Sequence, residues 1–220
     1  MPKFKSENLP NIIPVFPLRN ALLLPGGRLP LHIFEPCYLD LVNLALKTGG
    51  LFGMVQPKTL EHKSLFKSDL LYPIGCLGEI VGVTEQESGA LDILVLGIAR
   101  YKIVEELNVK TTYRQVEVDY KPFQQDIDIV EFLPTGGRQK LLETVNLYME
   151  KQGLSLNQEV LAKLGDDALV TSLSIMCPFE PAEKQALLEN LDIKKRALTL
   201  GTLMEFAIAD IDDISKVAQH

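Results

Sequence analysis

The sequence offers one pair of residues with the types and spacing of a nucleophile and its base. Cys37 follows His32 by five residues, at the predicted junction of a strand and a helix. A thiol at a helix N-terminus can have a lowered pKa, and a nucleophile of this kind needs an adjacent base. The pair is therefore compatible with a small enzyme in which Cys37 is the nucleophile and His32 is the base. The alternative is that Cys37 only packs in the first helical turn, because free thiols bury easily.

Other kinds of catalytic or metal site have no matching pattern. The motifs GxxxxGK[ST], GxGxxG, HExxH and GxSxG are all missing from the sequence. A metal site needs several converging ligands, and the sequence has only three histidines, which form no metal-binding motif: His32, His62 and His220. Gly75, Gly78 and Gly82 lie inside a predicted strand, where glycine marks bends and bulges. We therefore predict no catalytic residue, no metal and no cofactor.

Three charged residues lie beside apolar segments. Glu35 precedes a proline, Glu79 interrupts an apolar strand, and Arg100 follows a strand that is apolar on both faces. Charges beside buried segments are usually paired. We expect Arg19 or Arg100 to pair with Glu35 or Glu79 and to fix a corner of the β-rich part.

A proline-rich stretch, residues 13–38, must position most of these side chains. Its prolines are Pro14, Pro17, Pro25, Pro30 and Pro36. Proline fixes φ and lacks an N–H, so it fits edge strands, turns and first helical positions. The spacing predicts short bent strands, followed by a helix that begins at Pro36.

The remaining pattern separates a β-rich part, residues 1–122, from a helical part, residues 123–220. Further strands are predicted over residues 51–55, 74–85, 91–104 and 112–120. Residues 56–71 read as a polar loop and residues 124–131 as an acidic linker. From Arg138 onward, apolar residues recur at helical spacing in five segments, one with a capping box at Ser155, and the last is expected to fray from about Asp210. Segregated strands and helices indicate an α+β protein.

The composition narrows the class of protein. The 220 residues carry a net charge of −7, which argues against non-specific binding to nucleic acid or to anionic lipid. Cys37, Cys76 and Cys177 form no CxxC pair and are expected to be reduced thiols. The N-terminus lacks a secretory signal pattern, and no apolar run is long enough to span a membrane. We therefore expect a cytoplasmic protein.

Several motifs, in the right order, resemble the Lon protease N-terminal domain family. PVFPLRNALLLPGGRLPLHIFEPCY (residues 14–38) resembles its opening motif, and YPIGCLGEIV (72–81) and LDILVLGIARYKIVE (91–105) are similar to two of its strands. EKQALLENLDIKKRALTLGTLMEF (183–206) resembles its closing helices. Cys37 departs from the pattern, since the family usually has arginine there. The resemblance implies a PUA-like β pseudo-barrel with one inserted helix, followed by an α-helical bundle.

In full-length Lon, this domain precedes an ATPase and a Ser-Lys protease and helps to hold substrate proteins. The resemblance therefore implies a free-standing, non-catalytic module without those two parts. Its partner would be a polypeptide, such as an unfolded substrate or a protease-ATPase. The motif residues with structural roles would be Pro14, Pro17, Glu35, Pro36, Glu79 and Arg100.

The candidate protein-binding residues lie at the proline-shaped loops: Leu22, Leu23, Leu24, Phe34 and Tyr38. An exposed apolar patch there would favour binding. The alternative is that the leucines fill the barrel core, as most leucines do. Two other functions stay open: RNA binding, known for other PUA-like barrels and opposed by the acidic charge, and catalysis by Cys37 and His32.

Overall fold

The computed structural model describes residues 8–58, 70–128, 132–153 and 157–217. The chain divides into two compact units, Met1–Ile129 and Val130–His220. Most of the predicted polar loop, residues 56–71, lies outside the described residues, as do His62, Ser155 and His220. Within the described ranges, no helix has both the length and the apolar composition needed to cross a membrane.

The first unit is built on one six-stranded sheet. Its strands are β1 (Ile12–Pro17), β2 (Arg28–Ile33), β3 (Leu51–Val55), β4 (Ile74–Glu85), β5 (Leu91–Glu106) and β6 (Arg114–Asp119). They lie in the order β2-β5-β4-β3-β1-β6, and β5 also pairs with β6, which closes five strands into a ring. The β1–β3 pairing is parallel and the others are antiparallel. The predicted pseudo-barrel is confirmed.

The length of β5 makes this closure possible. Its first part, Leu91–Leu96, pairs with β2, and its last part, Lys102–Glu106, pairs with β6. Along its other edge it pairs with β4. The inserted helix α1 (Pro36–Lys47) packs against β1 and β3. Pro36 is its first residue, as predicted.

Tyr101 explains why two core positions of the barrel are glycine. A Cβ on Gly53 would come within 2.5 Å of the Tyr101 hydroxyl. A Cβ on Gly75 would collide with the same hydroxyl and would lie 2.5 Å from the Met54 carbonyl oxygen. The buried Tyr101 hydroxyl donates to that same Met54 oxygen over 3.1 Å. Gly78 and Gly82 instead mark the two register shifts in the β4–β5 ladder.

After β6, the first unit ends in a 3-10 turn, Lys121–Phe123, and a short helix, α2 (Gln125–Asp128). The predicted linker, residues 124–131, is therefore partly helical. The sequence places the change from strands to helices after residue 122, and the chain divides into its two compact units seven residues later, after Ile129.

The second unit is helical. Its helices are α3 (Gly137–Lys151), α4 (Gln158–Lys163), α5 (Asp166–Met176), α6 (Pro181–Glu189) and α7 (Ile193–Val217). The central helix α7 packs against α3, α5 and α6, and buries Leu200 and Met204. The predicted bundle is confirmed, but α7 continues past Asp210 to Val217.

Side chains cap three of these helices. Asn157 caps α4 by accepting from two amides, and Glu180 and Glu183 form a capping box on α6. The Asp192 carboxylate accepts from the Lys195 amide over 2.8 Å at the start of α7. The N-cap of α4 is Asn157 and not Ser155, so the predicted position of that capping box is wrong. In each of the three helices, a side-chain oxygen accepts from an amide of the first turn that has no partner within the helix.

Candidate functional site

Four of the five predicted binding residues belong to the core. Leu22, Leu23, Leu24 and Tyr38 are all buried, so the prediction that they form an accessible surface is wrong. The loop carrying the leucines lies across β5, where the Gly97 amide donates to Gly27 over 2.9 Å. A side chain at Gly97 would collide with the Leu24 carbonyl.

Tyr38 is removed from the surface by a different contact. Its ring packs on that of Phe16 with 4.1 Å between ring centroids, which fastens α1 to β1. Burial is the main reason that the pKa of Tyr38 is raised above its usual value. Tyr38 is thus a packing residue of the barrel.

Phe34, the fifth predicted residue, is exposed. It lies just after β2, its side chain is 64% accessible, and its ring centroid is 5.8 Å from that of His32. On β2, Pro30 and His32 are exposed and pair with Leu94 and Asp92 of β5. Directly paired residues share one face of a sheet. We call this surface the outer patch: Pro30, His32, Phe34, Leu94 and Leu96.

A polar cluster borders the outer patch. The His32 Nδ1 atom lies 2.6 Å from Asp92 Oδ1, and the Gln86 amide donates to the other oxygen of that carboxylate. The hydrogen bond from His32, followed by the one from Gln86, holds the pKa of Asp92 below its usual value. The cluster fixes the imidazole beside Phe34.

The structure contradicts the proposed nucleophile. The Cys37 residue is 8% exposed, and desolvation, with a smaller effect of the Glu35 charge, raises the pKa of its thiol. A catalytic thiol needs the opposite shift. His32 is exposed and paired with Asp92, whereas Cys37 is buried, so the His32–Cys37 enzyme hypothesis loses its chemical basis.

The side chain of Arg100 pairs with a residue that the sequence prediction missed. Its Nε and Nη2 atoms donate to the Asp126 carboxylate over 2.9 and 2.6 Å, and its guanidinium lies 4.5 Å from the centre of the Phe123 ring. The predicted carboxylates were Glu35 and Glu79. Glu35 occupies the N-cap position of α1 without a side-chain capping bond, and Glu79 is buried in β4. The pairing of Arg19 or Arg100 with Glu79 stays a prediction.

The other motif residues lie within the strands that frame this unit. Pro14 and Pro17 are in β1, where Pro14 pairs with Gln115 and Pro17 with Val55. A second ion pair, Arg114 to Glu106, joins β6 to β5 and was not predicted. No three His, Cys, Asp or Glu residues come together as a metal site in the part of the chain that the structure describes.

A closed β unit with one inserted helix, together with a helical unit, defines an α+β protein of the predicted class. The chain belongs to the family of the ATP-dependent protease La (LON) substrate-binding domain, whose model matches residues 12–205. It is 29% identical to Lon protease 2 of Myxococcus xanthus over 86% of this chain and 23% of that protein. It is 26% identical to a Lon protease of Anaeromyxobacter dehalogenans over 86% of this chain and 22% of that protein.

Two solved structures have a similar fold. The Lon N-terminal domain protein from Xanthomonas campestris aligns with a TM-score of 0.61 and 23% identity, covering 86% of this chain and 96% of its own. The N-terminal domain of a Mycobacterium avium complex Lon protease aligns with a TM-score of 0.58 and 18% identity, covering 88% and 98%. The chain spans about a quarter of the length of the curated relatives it matches.

Proposed function

We propose that this chain is a polypeptide-binding module, without catalysis of its own, that contacts its partner through the outer patch. The observation that carries the proposal is the exposure of Phe34 on the surface of a protein from a substrate-binding family. Exposed aromatic side chains beside partly buried leucines are typical anchors for a protein partner. The partner would be a polypeptide substrate with accessible apolar side chains.

The edge of β2 favours recognition through side chains over strand addition. In the described sheet, β2 pairs with β5 and is the last strand of the order. Gly27 accepts from Gly97, so the odd-numbered residues of β2 bond to β5 and Pro30 faces the open edge. Because proline has no N–H, a strand added there would lack a donor.

The proposal is tested with a fluorescently labelled, permanently unfolded polypeptide and the full chain. Replacing Phe34 with Asp should weaken binding about tenfold, the effect of losing roughly 1.4 kcal/mol at an aromatic anchor. The matched control is Phe206→Asp, because Phe206 is 66% exposed on α7, in the other unit. Equal binding by the two variants and the wild type would exclude the outer patch as the site.

A further inference from the structure

The second unit contains a groove between α3 and α7 that its own side chains leave open. The groove has a volume of about 180 Å³, and its apolar walls are Leu133, Leu141, Ala197 and Leu198. Small-molecule pockets usually have about 300–1,000 Å³. The groove is therefore the size of one or two side chains rather than of a cofactor.

Gly201 keeps this groove open at a cost to the helix. It lies in the interior of α7, where glycine is roughly 1 kcal/mol less favourable than alanine. A Cβ at this position would meet no atom within 4 Å, so neither close packing nor a positive φ requires glycine there. The Leu198 side chain beside it is 70% exposed. The missing side chain leaves space for an atom of a partner.

The rim of the groove has a charge pattern that selects a partner. Lys140 of α3 and Lys194 of α7 line the groove. Neither has an ion-pair partner among the described residues, although the chain as a whole carries a charge of −7. Glu205 lines the groove eleven residues beyond Lys194, about 16 Å along the helix at 1.5 Å per residue.

We infer that this groove binds an acidic segment of a polypeptide by taking up one of its large apolar side chains. The apolar side chain packs over Gly201 and against Leu198. Carboxylates of the segment lie near Lys140 and Lys194, and Glu205 repels acids at the other end. A length of about 16 Å accommodates roughly five extended residues. The site lies in the helical unit, so it does not depend on the outer patch.

The test uses fluorescence anisotropy of the full chain with a labelled peptide of about ten residues, in which leucines are flanked by glutamates. We expect this peptide to bind at least tenfold more tightly than the same peptide with lysines in place of the glutamates, or with glycines in place of the leucines. Equal binding of the acidic and basic peptides would overturn the assignment.

Gly201→Leu is the decisive variant because it fills the groove without weakening the helix. Leucine has a higher helix propensity than glycine, so the melting temperature should stay level or rise while affinity for the acidic peptide falls at least tenfold. A stable Gly201→Leu protein with undiminished binding would refute the site. Phe34→Asp, which alters the outer patch, should leave this binding unchanged, so failure of one site is distinguishable from failure of the other.

Charge variants show whether binding depends on the lysines of the groove or only on the net charge of the protein. The double variant Lys140→Glu/Lys194→Glu should lose most of the binding, and Glu205→Gln should strengthen it. The matched double variant Lys110→Glu/Lys163→Glu has the same net charge, and both of its positions are exposed and outside the groove. Equal losses in the two double variants would show a general charge effect and overturn the proposed groove.

Discussion

The Asp126 carboxylate receives three hydrogen bonds from Arg100, two from its guanidinium and one of 2.9 Å from its backbone amide. The two side chains are 1% and 5% exposed. Asp126 lies on α2, so the pair fastens the end of the first unit to β5, the strand that closes the barrel.

Breaking this pair from one side should destabilise the first unit strongly. Asp126→Ala removes from the buried guanidinium the carboxylate that accepts two of its hydrogen bonds, and should lower the free energy of unfolding by about 3–5 kcal/mol. Chemical denaturation followed by circular dichroism measures the change. The control Asp40→Asn alters an exposed carboxylate and should cost no more than about 0.5 kcal/mol.

Replacing both partners with apolar residues shows whether the destabilisation comes from a buried unpaired charge or from a lost packing contact. The double variant Arg100→Met/Asp126→Leu should be more stable than Asp126→Ala, because neither member of this pair is then left buried without the other. If its loss in free energy of unfolding instead equalled the sum of the losses for Arg100→Met and Asp126→Leu, the pair would stabilise the unit through packing.

The contact between Tyr101 and Gly75 predicts intolerance to a single methyl group. Gly75→Ala pushes a Cβ into both the Tyr101 ring and the Met54 carbonyl, and should cost about 1–3 kcal/mol of stability. Gly82→Ala is the matched control on the same strand, since its Cβ would meet only Leu94 at an ordinary 3.5 Å. Thermal unfolding of the two variants gives the comparison, and equal melting temperatures would contradict it.

The thiols should react slowly with iodoacetamide near neutral pH. Burial and the Glu35 charge raise the pKa of Cys37, and burial raises the pKa of Cys177 to about 12. Fewer thiolates and restricted access both slow alkylation. Mass spectrometry of the labelled peptides should show Cys37 below the rate of a free thiol, and full labelling in denaturant. If native Cys37 were alkylated faster than a free thiol, it would again be a candidate nucleophile.

Acid should weaken the helical unit through Asp166. A hydrogen bond from Arg138, followed by one from the Leu133 amide, holds the pKa of Asp166 below its usual 3.8. Because the folded pKa is the lower one, this stabilisation is complete above pH 3.8 and is lost as the pH falls through the folded pKa. The melting temperature should fall over that range.

Asp166→Asn should make the acid branch of this curve shallower, since the amide does not titrate. Asp210→Asn, which alters an exposed carboxylate of α7, serves as the control and should keep the shape of the wild-type curve. An unchanged slope for Asp166→Asn would assign the acid sensitivity to other groups.

Features set by short-range chemistry could be predicted from the sequence. Pro36 marks the start of α1 because its missing N–H is tolerated in the first turn. The capping box of α6 likewise spans only the four residues from Glu180 to Glu183. The alternation over residues 112–120 also predicts a buried face, and its residues Val116, Val118 and Tyr120 are all buried. In each case, the residues that determine the feature lie within a few positions of one another in the sequence.

Features set by distant contacts could not be predicted in the same way. Leu22, Leu23 and Leu24 look like loop residues until Gly97, over seventy positions later, lets their backbone lie across β5. Asp126 lies in an acidic stretch whose short helix is visible only once it packs back onto Arg100. The groove over Gly201 depends on how α3 lies beside α7, which the periodicity of either helix leaves open.

The pairing of β1 with β6 has a consequence for the order of synthesis. Ile12–Val15 bond to residues about a hundred positions later, a separation that slows folding. A nascent chain can pair β1 with β3 early, but the other edge of β1 stays open until β6 leaves the ribosome. Open strand edges template aggregation. We therefore expect the chain to be prone to aggregation in the interval between the translation of β3 and of β6. A chain truncated before Arg114 would retain the open edge of β1.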